Sequence, residues 1–141
     1  MTHFRTQLRT QVKSILDTAL SADSANVYIN RVAVLEELKL PIVTITTDLD
    51  RRRPVDIHSD YDADVSLTIT VYEKDISGVD TALDALCAKI ENALQDNATL
   101  DAVVELQETG TDFVDADKIV GQAQMNYLVT INGIADAETV I

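Results

Sequence analysis

The stretch DYDADVSLTITVY, residues 60–72, alternates without a break. Ala63, Val65, Leu67, Ile69 and Val71 fall on one side, and Asp62, Asp64, Ser66, Thr68, Thr70 and Tyr72 on the other. Side chains of a strand point to opposite faces in turn, so this pattern predicts a long strand with one apolar and one wet face. QAQMNYLVTI, 122–131, repeats it: Ala123, Met125, Tyr127, Val129 and Ile131 face inward, Gln122, Gln124, Asn126 and Thr130 outward, with Leu128 out of place. IVTITTDL, 42–49, is a β-branched run and a further strand, Pro41 breaking what precedes it. Val27–Val32 and Val103–Thr109 read as shorter strands, the latter turned by Gly110.

Two segments change period. Phe4, Leu8, Val12, Ile15, Leu16, Ala19 and Leu20 recur at helical spacing over 3–20, with Arg5, Arg9 and Lys13 on another face. Val79, Leu83, Leu86, Ile90 and Leu94 form the inward stripe of a second helix over 78–95. Ser77 and Asp80 fit a capping box before it, and Asn97 is its terminator. DLDRRRPVDIHSD (48–60) and TDFVDADKIVG (111–121) read as exposed charged connections.

The order is α-β-β-β-α-β-β. The expected fold is α+β, a mostly antiparallel sheet with both helices packed on its apolar face, forming one domain over 1–131. Residues 132–141 are expected to be a tail that orders when a partner docks.

Composition narrows the function. The chain has 141 residues, 46% apolar and only 4% aromatic, so its core is built from Val, Ile, Leu and Ala. A net charge of −13 disfavours affinity for phosphate backbones or anionic lipid, and lets an assembly repel anything negative passing through it. The amphipathic first helix, interrupted by Arg5, Arg9, Lys13 and Asp17, is not a signal peptide. No apolar run approaches the roughly 20 residues that span a bilayer. A soluble chain made in a cytoplasm is expected, without membrane contact.

No catalytic pattern emerges. Asp60, Asp62 and Asp64 resemble the start of a calcium loop, but its glycine and glutamate positions hold Val65 and Val71. His3 and His58 lack zinc-site spacing, and Cys87, in an apolar helical pattern, reads as a buried thiol. There is neither a phosphate-binding glycine loop nor a nucleophile elbow. The expectation is a non-enzyme with no cofactor and no metal. Arg51, Arg52 and Arg53 are the one local contradiction of the acidic charge, and guanidinium forks suit carboxylates of a neighbouring subunit.

In order, THFRTQLRTQVKSIL, the short NRV segment, ELKLPIVTITTDLD, DYDADVSLTITVYEKD, GVDTALDALCAKIENAL and DFVDADKIVGQAQMNYLVTI resemble the tail terminator proteins of long-tailed bacteriophages, the lambda-like minor tail protein U family. The resemblance covers about residues 2–131, and the C-terminal extension departs from it. It implies a structural virion protein at the head-proximal end of the tail, assembled in the host cytoplasm. Such proteins form a hexameric ring that caps the finished tail tube, stops its polymerisation and offers a surface for the head connector. The partners implied are copies of itself, the tail tube protein and a head–tail connector protein, with DNA passing through unbound. Another neck or head-completion protein is the alternative.

A cyclic ring needs one patch to meet a different patch on the next subunit. Arg51, Arg52 and Arg53 are candidates for one side, Asp112, Asp115 and Asp117 for the other. Asp62, Asp64 and Ser66 would face a neighbour or the channel.

Overall fold

The computed structural model describes residues 2–29, 41–55, 60–74, 78–95, 102–115 and 120–141. The amphipathic opening segment forms α1 (Phe4–Ala19), burying Phe4, Leu8, Val12 and Leu16, followed by a single 3-10 turn. Three residues, Asn26–Tyr28, make β1; β2 is Ile42–Pro54 and β3 Tyr61–Lys74. Next come α2 (Val79–Gln95), β4 (Val103–Asp115) and β5 (Val120–Ile134).

The strands form one sheet in the order β1-β2-β3-β5-β4, with β1 parallel to β2 and every other pair antiparallel. Both helices cover one face, α1 over β1 and β2, α2 over β3, β5 and β4. The alternating residues meet the helices there. Val43, Ile45, Val65, Leu67, Ile69, Met125 and Val129 are fully buried against Leu8, Val12, Leu83 and Ile90. The expected α+β architecture and element order are those observed.

Three boundaries differ from the sequence reading. β2 runs five residues past 49, so Arg51, Arg52 and Arg53 are strand residues opposite Asp64, Ala63 and Asp62, not a loop. β4 passes straight through Gly110, which pairs with Gln124, and continues to Asp115. The reason is common to both: ladder hydrogen bonds join backbones, so a polar strand persists wherever its partner strand does. β5 likewise extends past 131 to the fully buried Ile134.

Beyond Ile134 the chain lies along α1. Ala137 O accepts the Phe4 N–H at 2.8 Å, Gln7 Nε2 donates to Thr139 O at 2.9 Å, and Gln11 Nε2 donates to Ile141 O at 3.0 Å. The turn onto this path is made at Gly133, whose φ of +69° favours glycine, and its N–H donates to Asp62 Oδ1 at 3.1 Å. His58, Ser77, Asn97 and Asp117 lie outside the described residues, as do residues 30–40.

Candidate assembly surfaces

The face of the sheet turned away from the helices is mostly polar, interrupted by Leu49, Leu128 and Val103. Thr44, Thr70, Gln124 and Gly110 stand in one row, Thr46, Thr68, Asn126 and Glu108 in the next. Opposed residues of neighbouring strands share a face, so Glu105, Glu108 and Asp112 of β4 belong to this side too. A shallow trough of about 260 Å³ lies on it, lined by Thr44, Thr46, Asp48, Thr68, Thr70, Tyr72 and Gln124. Thr68 Oγ1 donates to Asp48 Oδ2 at 2.7 Å. Without an apolar wall, this trough does not resemble a small-molecule pocket.

Among the described residues, two strand edges have no strand beside them. β1 pairs only with Ile42, Val43 and Thr44, and among the described residues no strand covers β2 beyond them on that side. β4 pairs with β5 and, among the described residues, with nothing on its outer edge. Unpaired N–H and C=O rows of this kind are templates for another strand.

A β-bulge decides where the arginines go. Thr47 opposes Leu67 and Leu49 opposes Ser66, leaving Asp48 as the extra residue. One extra residue inverts the facing of everything after it. Asp50 and Arg52 therefore turn to the helix side, opposite Val65 and Ala63, while Arg51 and Arg53 turn to the polar side. Arg53 Nη2 pairs with Asp64 Oδ1 at 3.0 Å, and the same oxygen accepts from Thr130 Oγ1 at 3.2 Å. Arg51 is exposed and has no partner among the described residues.

On the helix side, Arg52 Nε and Nη2 donate to the two oxygens of Asp50 at 3.2 and 3.3 Å, and its guanidinium stacks over Tyr61 and Phe4. Arg5 Nε lies 3.5 Å from Asp50 Oδ2, an ion-pair contact without hydrogen-bond geometry. Arg9 Nη1 donates to Thr47 Oγ1 at 2.6 Å. Burial and the Arg5, Arg52 and Arg9 charges hold His3 below its ordinary value of 6.5. Arg5, Arg9 and Asp50 carry this cluster, and the sequence reading did not single them out. The signal was present as the basic face of α1, but its partner strand was hidden by the bulge.

The predicted residues separate into two ends. Arg51 stands level with Asp64, and Asp112 stands level with Tyr72 through Gln122. Eight residues of strand, roughly 26 Å, lie between these levels. Asp115 closes β4 opposite Val120, at the same end as Asp112. Asp62, Asp64 and Ser66 lie together on the polar face of β3, as the alternation places them.

No family model matches the chain, and no curated protein matches it. Among solved structures, a chain of "Virion of native gene transfer agent (GTA) particle" superposes with a TM-score of 0.55. The two are 11% identical over 92% of each chain. That likeness shows a shared fold.

Among the described residues no cluster of histidine, cysteine and carboxylate is placed to hold a metal, and no helix is long and apolar enough to cross a membrane. Cys87 is buried, and burial together with Glu91 and Asp84 pushes its thiol up to about 11. Such a thiol is not poised as a nucleophile.

Proposed function

We propose that this chain is a structural protein of a phage-type virion. It closes the end of a completed tail tube as a ring, stops addition of tube subunits and presents a new surface for head–tail joining. The pair of open strand edges carries the reading. From β2 through β3 and β5 to β4 the strand directions alternate, so β4 of one copy set beside β2 of the next continues the antiparallel order. A heterologous interface of this kind builds a ring when the rotation between copies closes. Edge pairing would also cover the two ladders that no described strand covers.

The helices occupy the outer side of such a ring, and the Thr, Gln, Asn and carboxylate face lines its lumen. A lumen carrying Asp48, Glu105, Glu108 and Asp112 gives DNA no phosphate contacts and lets it pass. Six copies, the number implied by the tail-terminator resemblance, multiply weak single contacts with the tube through high effective concentration. The likeness to a chain of a gene transfer agent virion supports the reading at the level of fold.

Native mass measurement and electron microscopy of the purified protein, alone and on tails, test this. The expected result is a six-membered ring with a central hole seated on one tail end, and tails of irregular length in particles made without the chain. A protein monomeric alone and on tails, or uniform tails in its absence, overturns it.

A further inference from the structure

The geometry points to Arg5 and Arg52 as a pincer for a carboxylate of an acidic protein partner, docked at the strand end where β2 finishes and α1 begins. This rests on the ring reading, in which strand ends form the two rims.

Arg52 is held on three sides. Tyr61 lies under its guanidinium at 4.9 Å from ring centroid to Cζ, Phe4 stands at 5.6 Å, and Asp50 takes the Nε/Nη2 edge. The Nη1 group has no partner among the described residues, and the side chain is 43% exposed. Arg5, one position along α1 from Phe4, approaches the same carboxylate with Nε at 3.5 Å. Its two Nη groups are likewise without a partner among the described residues. Asp50 is the floor between them, its side chain only 8% exposed.

One buried carboxylate between two guanidiniums leaves an excess of positive charge, and Arg9 adds to it from the next turn. His3 is disfavoured as a cation first by burial and then by Arg5, Arg52 and Arg9, with Asp50 acting the other way. Three described acids toward this end have partners of their own: Asp64 pairs with Arg53, Asp62 accepts from the Gly133 N–H and Asp136 from the Glu138 N–H. Asp60, next to Tyr61 in sequence, and Glu138, exposed beyond β5, are further described carboxylates toward this end.

A pre-oriented guanidinium with an open edge matches a carboxylate better than a lysine would, because little freedom is lost on pairing. A polyanion such as DNA fits poorly. Asp62 and Asp64 flank the same strand end, and the chain carries −13 overall. The complementary occupant is an Asp or Glu side chain repeated around the rim of the tube.

The test uses full-length rings and tail tubes purified from particles lacking this chain. Arg5→Gln keeps the helix and loses the charge, Arg5→Lys restores charge without the fork, and native mass confirms that rings persist in both. Arg5→Gln rings are expected to bind tubes about tenfold less or weaker still, with Arg5→Lys intermediate and all binding weakened by salt. Arg5→Gln rings that bind tubes as the wild type does overturn the pincer while leaving the ring intact. Duplex DNA binding abolished by Arg5→Gln, or wild-type rings stacking on each other through this end, also overturns it. Wild-type protein that forms no ring overturns the earlier reading instead.

Discussion

Arg52 lies across the ring of Tyr61, its guanidinium carbon 4.9 Å from the centroid, although the two residues sit on adjacent strands with no register pairing between them. Arg52 pairs through the backbone with Ala63, so its side chain reaches diagonally to Tyr61 on the same face. The contact is made within this chain and holds the guanidinium in place. Arg52→Ala is expected to cost about 1 kcal/mol, a melting shift of roughly 4 °C. Arg51→Ala, with no described partner, is expected to leave the melting temperature unchanged. Thermal unfolding of the two variants side by side checks this.

Gly121 lies directly under the first turns of α2. A Cβ there would stand 2.9 Å from Val79 Cγ2 and 3.0 Å from Leu83 Cδ1. Gly121→Ala is expected to destabilise by about 1–3 kcal/mol through overpacking. Gly110→Ala meets nothing within 4 Å and is expected to be neutral or slightly stabilising. Denaturant midpoints of the two alanine variants separate the cases.

His3 makes stability depend on pH. Its Nδ1 accepts the Arg5 N–H at 3.1 Å and so caps α1 only when unprotonated. Burial first, then Arg5 and Arg52, lower its folded value below 6.5. The unfolded chain therefore binds the proton at higher pH than the folded one. The contribution is fully present above about pH 6.5 and is lost as pH falls through the folded value. His3→Asn keeps an acceptor at the cap without titrating. Its melting temperature is expected to fall less than the wild type's between pH 7.5 and 5.5, and equal slopes would refute the assignment.

Cys87 is expected to resist thiol reagents in the native state. Burial, Glu91 and Asp84 push it up to about 11, so little thiolate exists at neutral pH and access is poor. Labelling with a thiol-reactive chromophore at pH 8 should be slow until denaturant unfolds the chain, then complete. Rapid native labelling would show that the second helix opens locally.

The faces of the sheet were legible in the residues themselves. Alternation from Ala63 to Val71 and from Ala123 to Ile131 tells which side chains are buried, because the pleat is a property of a single strand. The helix stripes were equally plain, from Phe4 to Leu16 and from Val79 to Leu94. Strand ends were not. Arg51 to Arg53 and Thr111 to Asp115 carry no apolar alternation, and they are strand only because Asp62 to Asp64 and Val120 to Ala123 lie beside them.

What the sequence by itself determined is local: two amphipathic helices, a sheet with one oily and one polar side, and an acidic chain without catalytic spacing. Only the tertiary structure decided that Asp48 bulges, that Arg52 turns beneath α1 while Arg51 stays on the polar side, and that Asp112 ends up far along the strands from the arginines. Period-two patterning is written into consecutive side chains, but register and the direction of a bulged strand belong to the partner it pairs with.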